Sequence, residues 1–83
     1  MTTKISLVGG NNSIGWPSTV PMMTNQALLE DLKQKGFEPT YIYRLVSGQW
    51  EVSTFGGSVW QLVPGEGYIV SVKRAGTYTF PGG

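Results

Sequence analysis

The chain has 83 residues, among them 12 glycines and ten aromatics but no cysteine or histidine, and a formal net charge of +1. That inventory removes thiol nucleophiles, imidazole general bases and the usual zinc and copper ligand sets, and it provides no field for gathering nucleic acid or an anionic membrane surface. With no disulfide available, a hydrophobic core must by itself stabilise one small domain spanning residues 1–83.

Lys4-Ile5-Ser6-Leu7-Val8 alternates polar and apolar positions, as a half-buried strand does. Gly9-Gly10-Asn11-Asn12 reads as a tight turn into a second short strand, Ser13-Ile14-Gly15-Trp16, so a β-hairpin is expected at the start of the chain. Pro17 to Met23 is a connector with two prolines and no period. Thr24 or Asn25 then caps a helix beginning near Gln26 and running to Lys35, with Leu28, Leu29 and Leu32 as its apolar stripe. Acidic residues are expected toward the helix start and lysines toward its end, and Gly36 suits the position just past it.

After Pro39 the pattern is β again. Thr40 to Val46 is a strand, Ser47-Gly48 a two-residue hairpin turn and Gln49 to Ser53 the partner strand. Phe55-Gly56-Gly57-Ser58 is a loop, and Val59 to Leu62 fits either a short strand or a helical turn. Pro64-Gly65-Glu66-Gly67 is a turn before the strand Tyr68–Lys73, which Ala75-Gly76 turns back into Thr77–Phe80 ahead of Pro81-Gly82-Gly83. The fold class expected is mainly β: a small antiparallel sandwich or barrel of five to seven short strands with one helix near residues 25–35. No apolar run is long enough to span a bilayer, so membrane insertion is not expected. Met1-Thr2-Thr3-Lys4 lacks a signal-peptide core, which implies synthesis in the cytoplasm without export if the chain is full length.

Leu7-Val8-Gly9-Gly10-Asn11-Asn12-Ser13-Ile14-Gly15-Trp16-Pro17 resembles the L-V-P-G-W-N-L-I-G-W-P opening of a small β module found at the ends of, or between, domains of large exported proteins of bacteria and archaea. Tyr41-Ile42-Tyr43-Arg44 is similar to that family's A-V-Y-R-Y strand, and Gln49-Trp50-Glu51-Val52 stands where it has W-x-x-Y. Leu62-Val63-Pro64-Gly65-Glu66-Gly67-Tyr68-Ile69-Val70 is similar to L-x-P-G-x-G-Y-W-I. The chain departs from the pattern at Asn11, Ser13 and Ile69, which replace a Trp, a Leu and an aromatic. The resemblance implies a non-catalytic surface module. A freestanding module made without an export signal needs another route outside, and a virion provides one. The localisation expected is therefore a virion or a cell surface.

The residues agree that no catalytic pair is present. Glu30 and Asp31 are consecutive on the helix, Glu66 lies in a turn, and no acidic run resembles a calcium loop, so neither a paired-carboxylate site nor a metal or other cofactor is expected. Gly9-Gly10 precedes a strand and no Lys-Ser/Thr, unlike a phosphate-binding loop. Lys4, Arg44, Lys73 and Arg74 amount to no basic patch strong enough for nucleic acid. Met22 and Met23 suit either adaptable contact surface or core filling. Among the aromatics, Trp16 and Trp50 are assigned to the core. Trp60, in a loop-flanked stretch, is the candidate interface anchor together with Tyr41, Tyr43 and Tyr68. The strands Ile5–Val8 and Thr77–Phe80 are candidate unpaired edges, open to strand addition. The function expected is a structural or binding module held by a protein scaffold (a capsid or surface assembly) or by its own copies. A carbohydrate-binding module using exposed aromatics is the alternative.

Overall fold

The computed structural model describes residues 3–18 and 23–80. The two-proline connector beyond Ser18, Met22 and the closing Pro81-Gly82-Gly83 lie outside the described residues. The elements are β1 (Lys4–Leu7), β2 (Gly10–Gly15), α1 (Asn25–Gln34), β3 (Pro39–Val46), β4 (Gln49–Ser53), β5 (Gly67–Val72) and β6 (Gly76–Thr79). They form two antiparallel sheets, one of four strands in the order β2-β5-β3-β4 and one of two strands, β1 with β6. The mainly β class with one short helix is as expected.

The connections at both ends of the chain differ from expectation. Gly9 to Asn12 is no hairpin turn: β1 pairs with β6 and β2 with β5, so the chain changes sheet at Gly9-Gly10, where Gly10 takes φ +109°. The Asn12 side chain holds this corner. Its Oδ1 accepts from the Val8 N–H at 2.8 Å and its Nδ2 donates to the Val8 and Gly10 carbonyls at 3.0 and 3.1 Å. An amide able to both donate and accept satisfies main-chain groups that a hairpin ladder would otherwise pair. Ala75-Gly76 likewise leads from β5 into the other sheet, so β1 and β6, expected as unpaired edges, are each other's partners.

The helix follows its local signals. Thr24 is the N-cap, its hydroxyl accepting from the Ala27 N–H at 3.2 Å, and Gly36 at φ +85° follows the C-cap residue Lys35. Its first turn carries no acidic residue, because Glu30 and Asp31 fall in the middle of the helix, whereas Lys33 is in the last turn as expected. Leu28, Leu29 and Leu32 are buried among Ile42, Val70 and Val72 of the large sheet and Tyr78 and Phe80 at the small one. One core thus lies between one face of the four-stranded sheet and a layer made of α1 and the β1–β6 pair.

Aromatic edges join the layers: Trp16 meets Phe80 at 5.1 Å and Phe37 meets Tyr78 at 5.9 Å, both edge to face. The Tyr78 hydroxyl donates to Asp31 Oδ2 at 2.6 Å, while Lys35 pairs with Asp31 at 3.1 Å and donates to the Thr79 carbonyl at 2.8 Å. This cluster fixes the helix to β6. Burial, then the hydrogen bond to Asp31 and its negative charge, push the Tyr78 phenol well above the usual tyrosine range.

Tyr78 therefore stabilises the fold fully below the ordinary tyrosine pKa of about 10. Above that pH the unfolded chain releases a proton that the folded one retains, and stability falls. Tyr78→Phe is expected to lower stability near neutrality by about 1 kcal/mol through the lost hydrogen bond. It is also expected to flatten the decline above pH ~10, as read by urea unfolding at a series of alkaline pH values.

Candidate functional site

The register of β3 and β4 follows from the two-residue connection between them. Ser47 and Gly48 both take positive φ, +50° and +79°, a type I′ turn whose twist matches that of the flanking strands. It pairs Val46 with Gln49, and from there Leu45 with Trp50, Arg44 with Glu51, Tyr43 with Val52 and Ile42 with Ser53. β5 continues the rows, Ile69 opposite Tyr43 and Ser71 opposite Tyr41. Since side chains alternate between faces, one face carries the buried Ile42, Tyr68, Val70 and Val72. The other carries Tyr41, Tyr43, Leu45, Trp50, Val52 and Ile69.

That outer face is left uncovered by the described residues. Leu45, Trp50 and Val52 are 50%, 53% and 51% exposed, and Tyr41, Tyr43 and Ile69 are half-buried. None of the described residues that the registers place on it is charged. Tyr41 and Tyr43 meet edge to face at 5.0 Å, and Tyr43 meets Trp50 in the same way at 6.4 Å. The Tyr41 hydroxyl donates to Asn11 Oδ1 at 2.8 Å, which ties the tyrosine row across β5 to strand β2. Asn11, Tyr43, Trp50 and Ile69 line a shallow groove of about 300 Å³.

Two of the residues expected to bind a partner lie elsewhere. Trp60 is buried at 7% exposure and Tyr68 at 3%, and their rings stack on each other at 6.3 Å and 14°. The Arg44 guanidinium lies 4.6 Å from the Trp60 ring centroid and is paired with Glu51 at 2.7 Å. The Tyr68 hydroxyl accepts from the Val63 N–H at 2.7 Å.

Trp60 is drawn in because the start of the helix binds the loop that carries it. Asn25, fully buried, accepts from the Trp60 N–H at 2.8 Å and donates to the Ser58 carbonyl at 2.9 Å. Gln26 donates to the Thr54 carbonyl at 2.7 Å and accepts from the Gly56 N–H at 3.1 Å. The stretch Val59–Leu62 is extended, with Gln61 bridged to Thr24, and is not a helical turn.

Tyr41 and Tyr43 do share one exposed face. Trp50, assigned to the core from sequence, is the residue that joins them there, and Trp16 is buried as expected. The pairing across Ser47-Gly48 already places Trp50 on the tyrosine face. Which face the helix would cover is not written in the hairpin itself.

Among the described residues there is no group of three or more acidic, histidine or cysteine side chains that could hold a metal ion, and no helix is long and apolar enough to cross a membrane. Comparison of the chain with protein-family models, with curated proteins and with solved structures gives no match in any of the three.

The two tryptophans are expected to respond oppositely to truncation. Trp60→Ala should destabilise the protein by about 3–5 kcal/mol, as large core truncations do, whereas Trp50→Ala should change stability by no more than about 0.5 kcal/mol. Chemical denaturation of the two variants reads the contrast.

Proposed function

We propose that this chain is a non-catalytic binding module, a component of a larger assembly of the kind that decorates a virion shell or a cell surface, and that the outer face of the four-stranded sheet is its contact surface. One observation carries the reading. The sheet places its core-forming residues on one side and leaves an uncharged row of Tyr41, Tyr43, Leu45, Trp50 and Val52 on the other. Contiguous apolar surface of this sort, centred on an exposed Trp flanked by Tyr, is what protein-binding patches are made of. The low charge of the chain and the resemblance of its motif order to that of a family of surface modules support the same reading.

A second reading is favoured by the groove at Asn11, Tyr43 and Trp50. An exposed indole beside an amide and a phenol provides a stacking surface together with hydrogen-bonding groups, and the uncharged surroundings suit a neutral sugar. The carbohydrate alternative therefore rests on Trp50, with Trp60 serving as core.

Sedimentation with virus particles and cell envelopes of the source separates the two. Wild-type protein is expected to bind saturably, and a Leu45→Ser/Trp50→Ser variant to bind at least tenfold more weakly. Equal binding by both proteins would refute the outer face as the contact surface. Release of bound wild type by free neutral sugars would transfer the site to the glycan reading.

A further inference from the structure

The hairpin also fixes the direction of the main-chain groups of β4, which forms an edge of the four-stranded sheet. In a two-residue hairpin the residues flanking the turn are hydrogen-bonded to each other, here Val46 and Gln49, and bonded pairs then alternate. Glu51 and Ser53 therefore spend their N–H and C=O groups on β3, and those of Trp50 and Val52 point outward from the edge. The opposite edge follows the same phase. Trp16, one residue past β2, donates to the Glu66 carbonyl at 3.3 Å, so Ser13 on β2 also points its main chain outward.

Open edges are usually blunted by proline, lysine, a bulge or a covering segment. β4 has no proline and no lysine, its register against β3 is unbroken from Gln49 to Ser53, and Gln49 through Val52 are exposed. Its side chains on the outer face are Trp50 and Val52, so a strand added there would extend the apolar face as well as the ladder.

We infer that the occupant of this edge is a second copy of the chain, paired antiparallel through β4 about a two-fold axis at Trp50. Charge and burial together select the register, since centring the pair on Val52 would require the buried Ser53 to face Glu51 of the copy. Antiparallel pairing between the outward-bonding residues allows Trp50 to face Val52, but that sets Glu51 directly against Glu51 of the copy, a like-charge pair at the closer cross-strand spacing. Setting Trp50 against Trp50 of the copy places each Glu51 opposite Gln49, an uncharged amide, and leaves the Arg44–Glu51 pair of each copy undisturbed. The product is a continuous eight-stranded sheet whose two uncharged outer faces form one surface, with both Trp50 rings at the seam. Such an isologous contact closes at two copies. The inference rests on the outer face being the contact surface and doubles that surface.

Proline provides the test, because at Val52 it removes an outward N–H without removing a bond to β3. In sedimentation velocity from micromolar to millimolar concentration, wild type is expected to pass from monomer to dimer and not beyond. Val52→Pro should raise the dimer dissociation constant at least tenfold while keeping the wild-type near-ultraviolet circular dichroism. Trp50→Lys should do the same by opposing two ammonium groups at the seam, and it serves if the proline variant fails to fold. Ser13→Pro, on the other open edge, should leave the dimer intact.

A wild type that stays monomeric throughout would overturn the inference, as would a dimer that survives both β4 substitutions or one broken by Ser13→Pro. Growth past two copies would also overturn it. Because particle binding is measured separately, a monomer that still binds particles through Leu45 and Trp50 would sink the dimer and leave the proposed function standing.

Discussion

The turn at Ser47-Gly48 is the constraint on which the rest of the site depends. Two residues at positive φ leave no slack between Val46 and Gln49, so the register of β4 is set by turn geometry. A slip of one residue would exchange its faces, sending Trp50 and Val52 toward the helix side and Glu51 into the tyrosine row. The turn thus decides which side chains meet solvent and which main-chain groups lie free at the edge.

The helix makes the complementary choice on the other side. Leu28, Leu29 and Leu32 cover the face carrying Ile42 and Val70, and the polar residues at the helix start hold the glycine-rich loop after β4 in place. Asn25 is fully buried because it satisfies main-chain groups at Ser58 and Trp60, which would be costly to leave unpaired. A short loop that reads as surface is thereby turned inward, carrying Trp60 onto Tyr68. Trp50, on a regular strand, is left in solvent.

These particulars explain what could be read from the chain and what could not. The helix from Thr24 to Gly36 and the β3–β4 hairpin rest on signals within a few residues of one another, and both were legible. The ends of the chain were not. A Gly-Gly-Asn-Asn run serves a tight hairpin and a sheet-changing corner equally well, and the choice between them is made by β1 pairing with β6 some seventy residues away. The two tyrosines of the site were legible from strand alternation. Trp50 and Trp60 were exchanged because ring exposure depends on which sheet face is covered, and that is settled by contacts between elements far apart in sequence.

A two-faced sheet is therefore at the centre of the molecule, with one face in the core and the other left to solvent, and the tryptophans are divided accordingly. The most direct measurement is paramagnetic broadening of the assigned aromatic ring resonances by a soluble nitroxide. Strong broadening is expected at Trp50 and little at Trp16 and Trp60, as their exposure requires. Broadening of Trp60 as strong as that of Trp50, or a protected Trp50 beside an accessible Trp60, would contradict that division.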